Sequence, residues 1–359
     1  MFSRQSFMCK NDVLPWLVSP GDELANRIDT LLENVLIPES QLDSDAPLPD
    51  SHLRNLIDTG LVSIVTAPEA CWNVKSRFAI AEQVAYGCLD TWFVITQHWG
   101  ASSIIQRAGQ SPSAFWDYES LLGVGFGHLR RSKPCLLAIR GSANFHVNGH
   151  APWVTGSGWL SWVVYGATLP GGDHIYFRLQ HCEADGYTIS NPQVLAAVKR
   201  TDTREVLLNL SVPPEQVLYV RPREDLSSQD DTTLVTSIAP VLGLSARCLV
   251  DWSREVKADN RATFESVLGV YEKVRREVYD VLDNVGAVSV PERLQVREKL
   301  HLLLESIIHI WSLSSGGQSN TGGMTVIRRR QEAAFFRVFQ QTKSLRDAAI
   351  ASALSHLSV

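Results

Sequence analysis

The residues able to do chemistry are spread thinly along this chain of 359 residues, and their spacing excludes several chemistries outright. Six cysteines, at positions 9, 71, 88, 135, 182 and 248, contain no CxxC pair, so neither a disulfide framework nor a structural zinc site is expected. His128, His146 and His150 fall close together, but no interval among them matches a metal set, and no metal is expected. Gly123-x-Gly125-x-Gly127 is not a dinucleotide fingerprint, because no strand–turn–helix unit with a later acidic residue surrounds it. Arg130 and Arg131 could neutralise phosphates or stand as solvated surface charges. Trp153-Val154-Thr155-Gly156 sets an indole, a broad apolar face, two residues from a hydroxyl that can donate or accept a hydrogen bond. Taken alone, Trp153 reads as a buried strand residue. Ser314 to Gly323 holds four glycines, and it is either a connector or a phosphate cradle of bare backbone N–H groups.

Composition bounds the class of protein that must position these groups. With 45% hydrophobic residues the chain can bury at least one large core. Its 38 acidic and 33 basic residues are interspersed, which leaves no electrostatic footprint for nucleic acid or an anionic membrane. Arg328 to Arg330 is the one dense basic run, expected to cap or line a helix. No apolar stretch of about 18 residues and no secretory h-region is present, so a cytoplasmic protein is expected.

Apolar residues recur at helical spacing over Asp22 to Leu36, Leu53 to Ile57, Phe78 to Val84 and Asp90 to Ala108, the last apolar nearly all round. Between about 120 and 225 the pattern changes to short strands: Leu136 to Ile139, Asn144 to Val147, Leu160 to Ala167, His174 to Leu179, Gln193 to Val198 and Glu205 to Val212. Asn148-Gly149 reads as a hairpin turn between two such runs. After a polar stretch from Glu224 to Asp231, four long helices are expected over Thr232 to Asp251, Ala262 to Leu282, Pro291 to Leu313 and Thr325 to Leu357. The fold class is therefore α+β in three lobes: an N-terminal helical domain (1–112), a middle antiparallel β-barrel or sandwich (113–228) and a C-terminal four-helix bundle (229–359).

Several local sequences, in order, resemble the acyl-CoA dehydrogenase family over roughly Leu53 to Ser352. Leu53-xx-Leu56-xxx-Gly60-Leu61, Pro68 and Ala81 to Ala85 are similar to the family's entry helices. Phe145 to Gly156 resembles its "LNGxKxWIT" segment, Leu210 to Leu218 its "VPxxxVL" strand exit, and Gly316-Gly317 with Glu332 to Thr342 its "GG" loop and last long helix. The resemblance implies a flavin, FAD or else FMN, with Trp153, Thr155 and Gly156 against its ring and Gly316 and Gly317 at its pyrophosphate or adenine. It also implies a homodimer or homotetramer packed through the C-terminal bundle.

The departures bear on activity. The family's "TExxxGSD" stretch is rewritten as Gly123 to Arg131, which leaves Arg130 as the candidate cation for the phosphates. Its "RxxFG" element has no counterpart between Asp251 and Phe264, where Arg254 or Arg261 is the substitute. Its base would be a Glu, but the "YEGT"-like segment reads Phe339-Gln340-Gln341-Thr342, and glutamine accepts no proton at neutral pH. The alternative base position falls near Thr233, with Asp231 the nearest carboxylate; Asp231 reads more readily as the N-cap of a helix beginning at Thr232. His98 occupies a helix in which hydroxylating relatives carry a His acid; otherwise it is an interior histidine bonded to a backbone carbonyl. Three functions stay open: two-electron oxidation of an acyl or amino-acyl thioester by flavin, a reduced-flavin monooxygenase, and a degenerate member kept for binding or assembly.

Overall fold

The computed structural model describes residues 23–42, 44–65, 74–117, 119–131, 133–320, 325–339 and 341–357. Among the described residues, the longer helices ahead of the strands are α1 (Glu23–Leu31), α2 (Asp50–Asp58), α3 (Val74–Gly87) and α4 (Leu89–Arg107). Burial of Trp92, Phe93, Val94 and Ile95 explains why α4 is apolar all round.

The strands are β1 (Leu121–Gly125), β2 (Leu136–Arg140), β3 (Phe145–Val154), β4 (Leu160–Thr168), β5 (His174–Gln180), β6 (Tyr187–Ile189), β7 (Arg204–Val212) and β8 (Val217–Arg221). They form one sheet in the order β6-β7-β3-β2-β4-β5-β8, with β1 added beside β4. The sheet is mixed, because β1 and β2 both run parallel to β4. Two sequence expectations fail here. Asn148-Gly149 is not a turn but lies inside β3, with Asn148 opposite Leu137 and Gly149 opposite Leu136. Gly149 is needed for close approach: at its φ of 132° a Cβ would stand 2.1 Å from the Cys135 carbonyl oxygen. The chain reverses instead at Gly141 to Asn144, closed by the Gly141 N–H on the Asn144 carbonyl at 2.8 Å. Gln193 to Val198 is not a strand either, since Val198 (φ 50°) and Asp202 (φ 44°) turn that segment through left-handed conformations.

Helices follow: α5 (Arg223–Thr232), α6 (Ala239–Ser253), α7 (Arg261–Asp283), α8 (Val290–Ser315), α9 (Thr325–Val338) and α10 (Lys343–Leu357). The polar stretch ahead of the four expected helices is thus itself helical, as α5. Pro291 starts α8 as expected, beside a capping box in which Ser289 and Glu292 satisfy each other's backbone N–H groups. The single long helix expected from Thr325 breaks into α9 and α10, where the Thr342 hydroxyl accepts the Leu345 N–H at 3.2 Å and caps a new helix.

Cα packing divides the chain into two compact units, one of residues 1–43, 69–92 and 231–359, the other of residues 44–68 and 93–230. The basic run lines α9 in the first unit, with Arg329 buried, Arg328 half-buried and Arg330 exposed. Arg329 donates to Asp251 at 3.0 Å and to Glu332 at 2.7 Å, Arg328 donates to Glu332 and Asp90, and Arg247 donates to both Asp251 oxygens. Within this network Arg247, Arg329, Asp90, Asp251 and Glu332 are buried and each is paired, the condition for burying any of them.

Candidate functional site

In the second unit the end of β3 carries the best-defined site. After Trp153 and Val154 the chain leaves the strand at Thr155, turns at Gly156 (φ 79°) and enters a short 3-10 turn over Ser157–Trp159. Gly156 is dictated by that angle and by the Val94 side chain, whose methyl would stand 3.0 Å from an added Cβ. The turn is zipped to the strained segment before β7: Gly156 N–H donates to the Thr201 carbonyl at 2.8 Å, Ser157 N–H to the Asp202 carbonyl at 3.1 Å, and Gly158 N–H to the Asp202 carboxylate at 2.8 Å. Trp153 therefore sits on a rigid mount.

Trp153 is 47% exposed, so it is not sealed in hydrocarbon, and the Arg131 guanidinium covers its ring from 4.7 Å. Thr155 is buried, and its hydroxyl lies 3.0 Å from that of Thr203, which lies 2.9 Å from that of Thr201. Beyond Gly156, Ser157 Oγ lies 2.7 Å from His181 Nε2, His181 Nδ1 lies 2.7 Å from the Tyr187 hydroxyl, and that hydroxyl lies 2.6 Å from Tyr165. Tyr165 is wholly buried and has Tyr187 as its partner, so Tyr165 donates, Tyr187 passes its own proton to His181 Nδ1, and His181 donates from Nε2 to Ser157. Burial holds His181 down to about 4, consistent with a neutral ring. The sequence reading misses both relays. Thr201-x-Thr203 is the only local signal of the first, and residues 24 and 48 positions away complete the pairs, which no local pattern reveals.

The other expected residues divide between the units. His98, in the second unit, is fully buried; its Nδ1 accepts the Leu122 N–H at 3.0 Å, and the Trp116 ring meets it edge to face. It is bonded to a backbone N–H rather than a carbonyl, so the proton of the neutral ring sits on Nε2. Burial pushes its pKa down to about 3, so near neutrality it is a hydrogen-bond donor and not a cation. His98 Nε2, Ser102 Oγ and Trp116 Nε1 are buried without partners among the described residues. Arg130, at the end of a 3-10 turn, spends its guanidinium on Asp230, with contacts of 2.6 to 3.2 Å.

In the first unit, Asp231 lies in the last turn of α5, so it is not the N-cap of a helix beginning at Thr232. That polar run is already helical from Arg223, which places Asp231 at the helix's C-terminal end, where a carboxylate opposes the dipole. Its carboxylate makes no ion pair among the described residues, while its carbonyl accepts from Arg293 at 2.8 Å. Gly316 ends α8 at φ 63° and Gly317 follows it; an added Cβ at either meets nothing within 4 Å. Arg254 and Arg261 each bond a carboxylate, Asp251 and Glu265. Gln340 lies outside the described residues. Among those described, no single helix is long and apolar enough to cross a membrane.

The chain has the acyl-CoA dehydrogenase fold. It is similar to butyryl-CoA dehydrogenase from Megasphaera elsdenii, with a TM-score of 0.75 and 14% identity over 94% of this chain and 99% of that one. It is similar to glutaryl-CoA dehydrogenase from Mycobacterium smegmatis, with a TM-score of 0.75 and 13% identity over 96% and 98%. A 3-HSA hydroxylase from Rhodococcus sp. RHA1 shares the fold at a TM-score of 0.66 and 16% identity over 93% and 97%. No protein-family model and no curated sequence matches the chain. Of the residues expected at a flavin, Trp153 offers exposed aromatic surface for the ring, whereas the Thr155 hydroxyl is buried against Thr203 and Arg130 is already held by Asp230.

Proposed function

We propose that the chain is a divergent acyl-CoA dehydrogenase-type flavoprotein that oxidises an acyl or amino-acyl thioester by two electrons. The observation that carries this reading is the exposed indole of Trp153, held by the Gly156 turn in the segment that resembles the family's ring-facing one. FAD, or FMN, would supply the two-electron acceptor when bound. Trp153, with Arg131 stacked on the indole, would brace the ring, and Thr155, now bonded inward, would have to turn its hydroxyl outward to bond the ring's edge. Gly316 and Gly317 offer backbone N–H groups without side-chain obstruction, and Arg130 reaches phosphate only by giving up Asp230. Asp231 is the proposed base, a carboxylate without an ion-pair partner among the described residues. The proposed assembly is a homodimer or homotetramer.

Purified protein supplied with FAD is expected to be yellow, and an anaerobic acyl-CoA or carrier-bound acyl thioester is expected to bleach it. Absence of bleaching across chain lengths contradicts the dehydrogenase reading. A second reading, a monooxygenase supplied with reduced flavin, is favoured by the hydroxylase of the same fold, with the Nε2–H of His98 a hydrogen-bond donor rather than an acid near neutrality. It requires product to appear only with externally reduced flavin and oxygen.

A further inference from the structure

In the first unit, residues of α8, α9 and α10 surround a cavity with about 350 Å³ of open space, part of it continuous with solvent. Arg297 and His301, four residues apart on α8, both line it, and they are only 7% and 5% exposed. Arg297 donates from Nη1 to the Leu234 carbonyl at 3.0 Å and to the Ser237 hydroxyl at 2.7 Å, both neutral acceptors. Its Nε and Nη2 have no acceptor among the described residues and are not fully buried. His301 makes no hydrogen bond among those residues. The carboxylate in the lining, Glu298, is held by Arg337 through both oxygens, at 2.7 and 2.9 Å. Burial lowers the Arg297 pKa to about 10, although the nearby Glu298 acts the other way, and His301 is pushed well below 6.5 by burial and then by Arg297 and Arg337. The guanidinium therefore stays charged, and the imidazole stays neutral with one N–H to donate.

We propose that this cavity is a binding site for a small monocarboxylate, whose oxygens accept from Arg297 and from the N–H of His301. A buried cation calls for an anion, and the unpaired Nε and Nη2 share one edge of the guanidinium, the geometry that a carboxylate bridges with two parallel bonds. Leu294, Phe336, Phe339 and Leu345 give the rest of the lining an apolar character that suits a hydrocarbon body. Ala348 and Ala349 on α10 leave the room that larger side chains would fill. One negative charge neutralises Arg297, whereas a second would meet Glu298, so the site favours a monoanion over phosphate. No lining residue is one expected at the flavin, and the inference stands apart from that reading.

The test is calorimetric titration of the full chain with propionate, with propionamide, its neutral near-isostere, and with inorganic phosphate. Propionate is expected to bind saturably and about tenfold or more tightly than either of the others, the difference that a charge-assisted pair supplies. Arg297→Met, which removes the charge and keeps the stem, is expected to weaken propionate by about tenfold or more. Because Arg297 also braces Leu234 and Ser237, a second variant, Ala348→Leu, fills the cavity while leaving both donors in place. It is expected to weaken propionate to a similar extent, with the circular dichroism spectrum of the parent retained. Absence of saturable propionate binding by the parent, equal binding of propionamide or phosphate, or propionate binding untouched in Ala348→Leu or in folded Arg297→Met overturns the inference.

Discussion

At the scale of single residues, three histidines of the second unit are shaped by burial more than by any partner. His98 is held at a pKa of about 3 by loss of water around the ring, and His52 and His128 at about 4 for the same first cause. The unfolded chain protonates these rings near 6.5, whereas the folded chain leaves them neutral. Their contribution to stability is therefore complete above about pH 6.5 and is lost as the pH falls toward 3 to 4, each at about 1.4 kcal/mol per pH unit in that window. His98→Gln keeps an acceptor for the Leu122 N–H and removes the titration. Its urea midpoint is expected to fall less steeply than the parent's between pH 6 and 4.5, and parallel pH profiles for the two proteins would show that His98 ionises normally. The residue was legible as a special histidine from its place at the end of an apolar helix, but its bond to a backbone N–H was not, because Leu122 lies 24 positions away.

At the scale of elements, Gly149 separates what sequence shows from what packing decides. Asn-Gly matches a hairpin because both residues tolerate positive φ, and Gly149 does adopt φ 132°. The reason lies across the sheet rather than along the chain: the Cys135 carbonyl closes on the position where a Cβ would stand. Gly149→Ala is expected to cost about 3 kcal/mol from strain and clash together, read as a lowered urea midpoint at unchanged slope. Asn148→Ala, on the exposed face of β3, is expected to move stability by no more than about 0.5 kcal/mol. Comparable losses for the two variants would restore the turn reading. The same logic explains the other gaps in what the sequence disclosed. β2, β4, β5 and β7 were legible from β-branched, alternating runs, whereas β1, Leu121–Gly125, carries two glycines and is buried along nearly its whole length, so it shows no alternation. Residues 193–198 are apolar enough for a strand but are committed to the left-handed turn that ends the threonine relay. Of the candidate site, Trp153, Thr155 and Gly156 could be picked out as a contiguous motif, while Thr203, His181 and Tyr187 are joined to it only by the fold.

At the scale of the whole molecule, the first unit depends on charge that its sequence disguises as a surface feature. Arg328 and Arg329 read as a basic run on a helix, but Arg329 is 2% exposed, and it shares Asp251, itself 5% exposed, with Arg247. The carboxylate of Asp251 raises the Arg329 pKa further above its ordinary value, after Glu332, and in spite of burial, which acts the other way. Asp251→Asn is isosteric but leaves Arg247 and Arg329 short of a counter-charge in a dry interior, with an expected cost of about 3 to 5 kcal/mol. Because every member of the network belongs to one compact unit, the loss is expected to be local. Hydrogen exchange should accelerate in α6 and α9 while the amides of β3 and β7 keep their protection, and calorimetry should resolve one transition into two. Replacing the three charges together, Asp251→Leu with Arg247→Met and Arg329→Met, removes the unpaired cations along with the anion and is expected to recover most of that stability. An Asp251→Asn protein that melts in a single transition at the parental temperature would mean that solvent, rather than ion pairing, compensates these arginines.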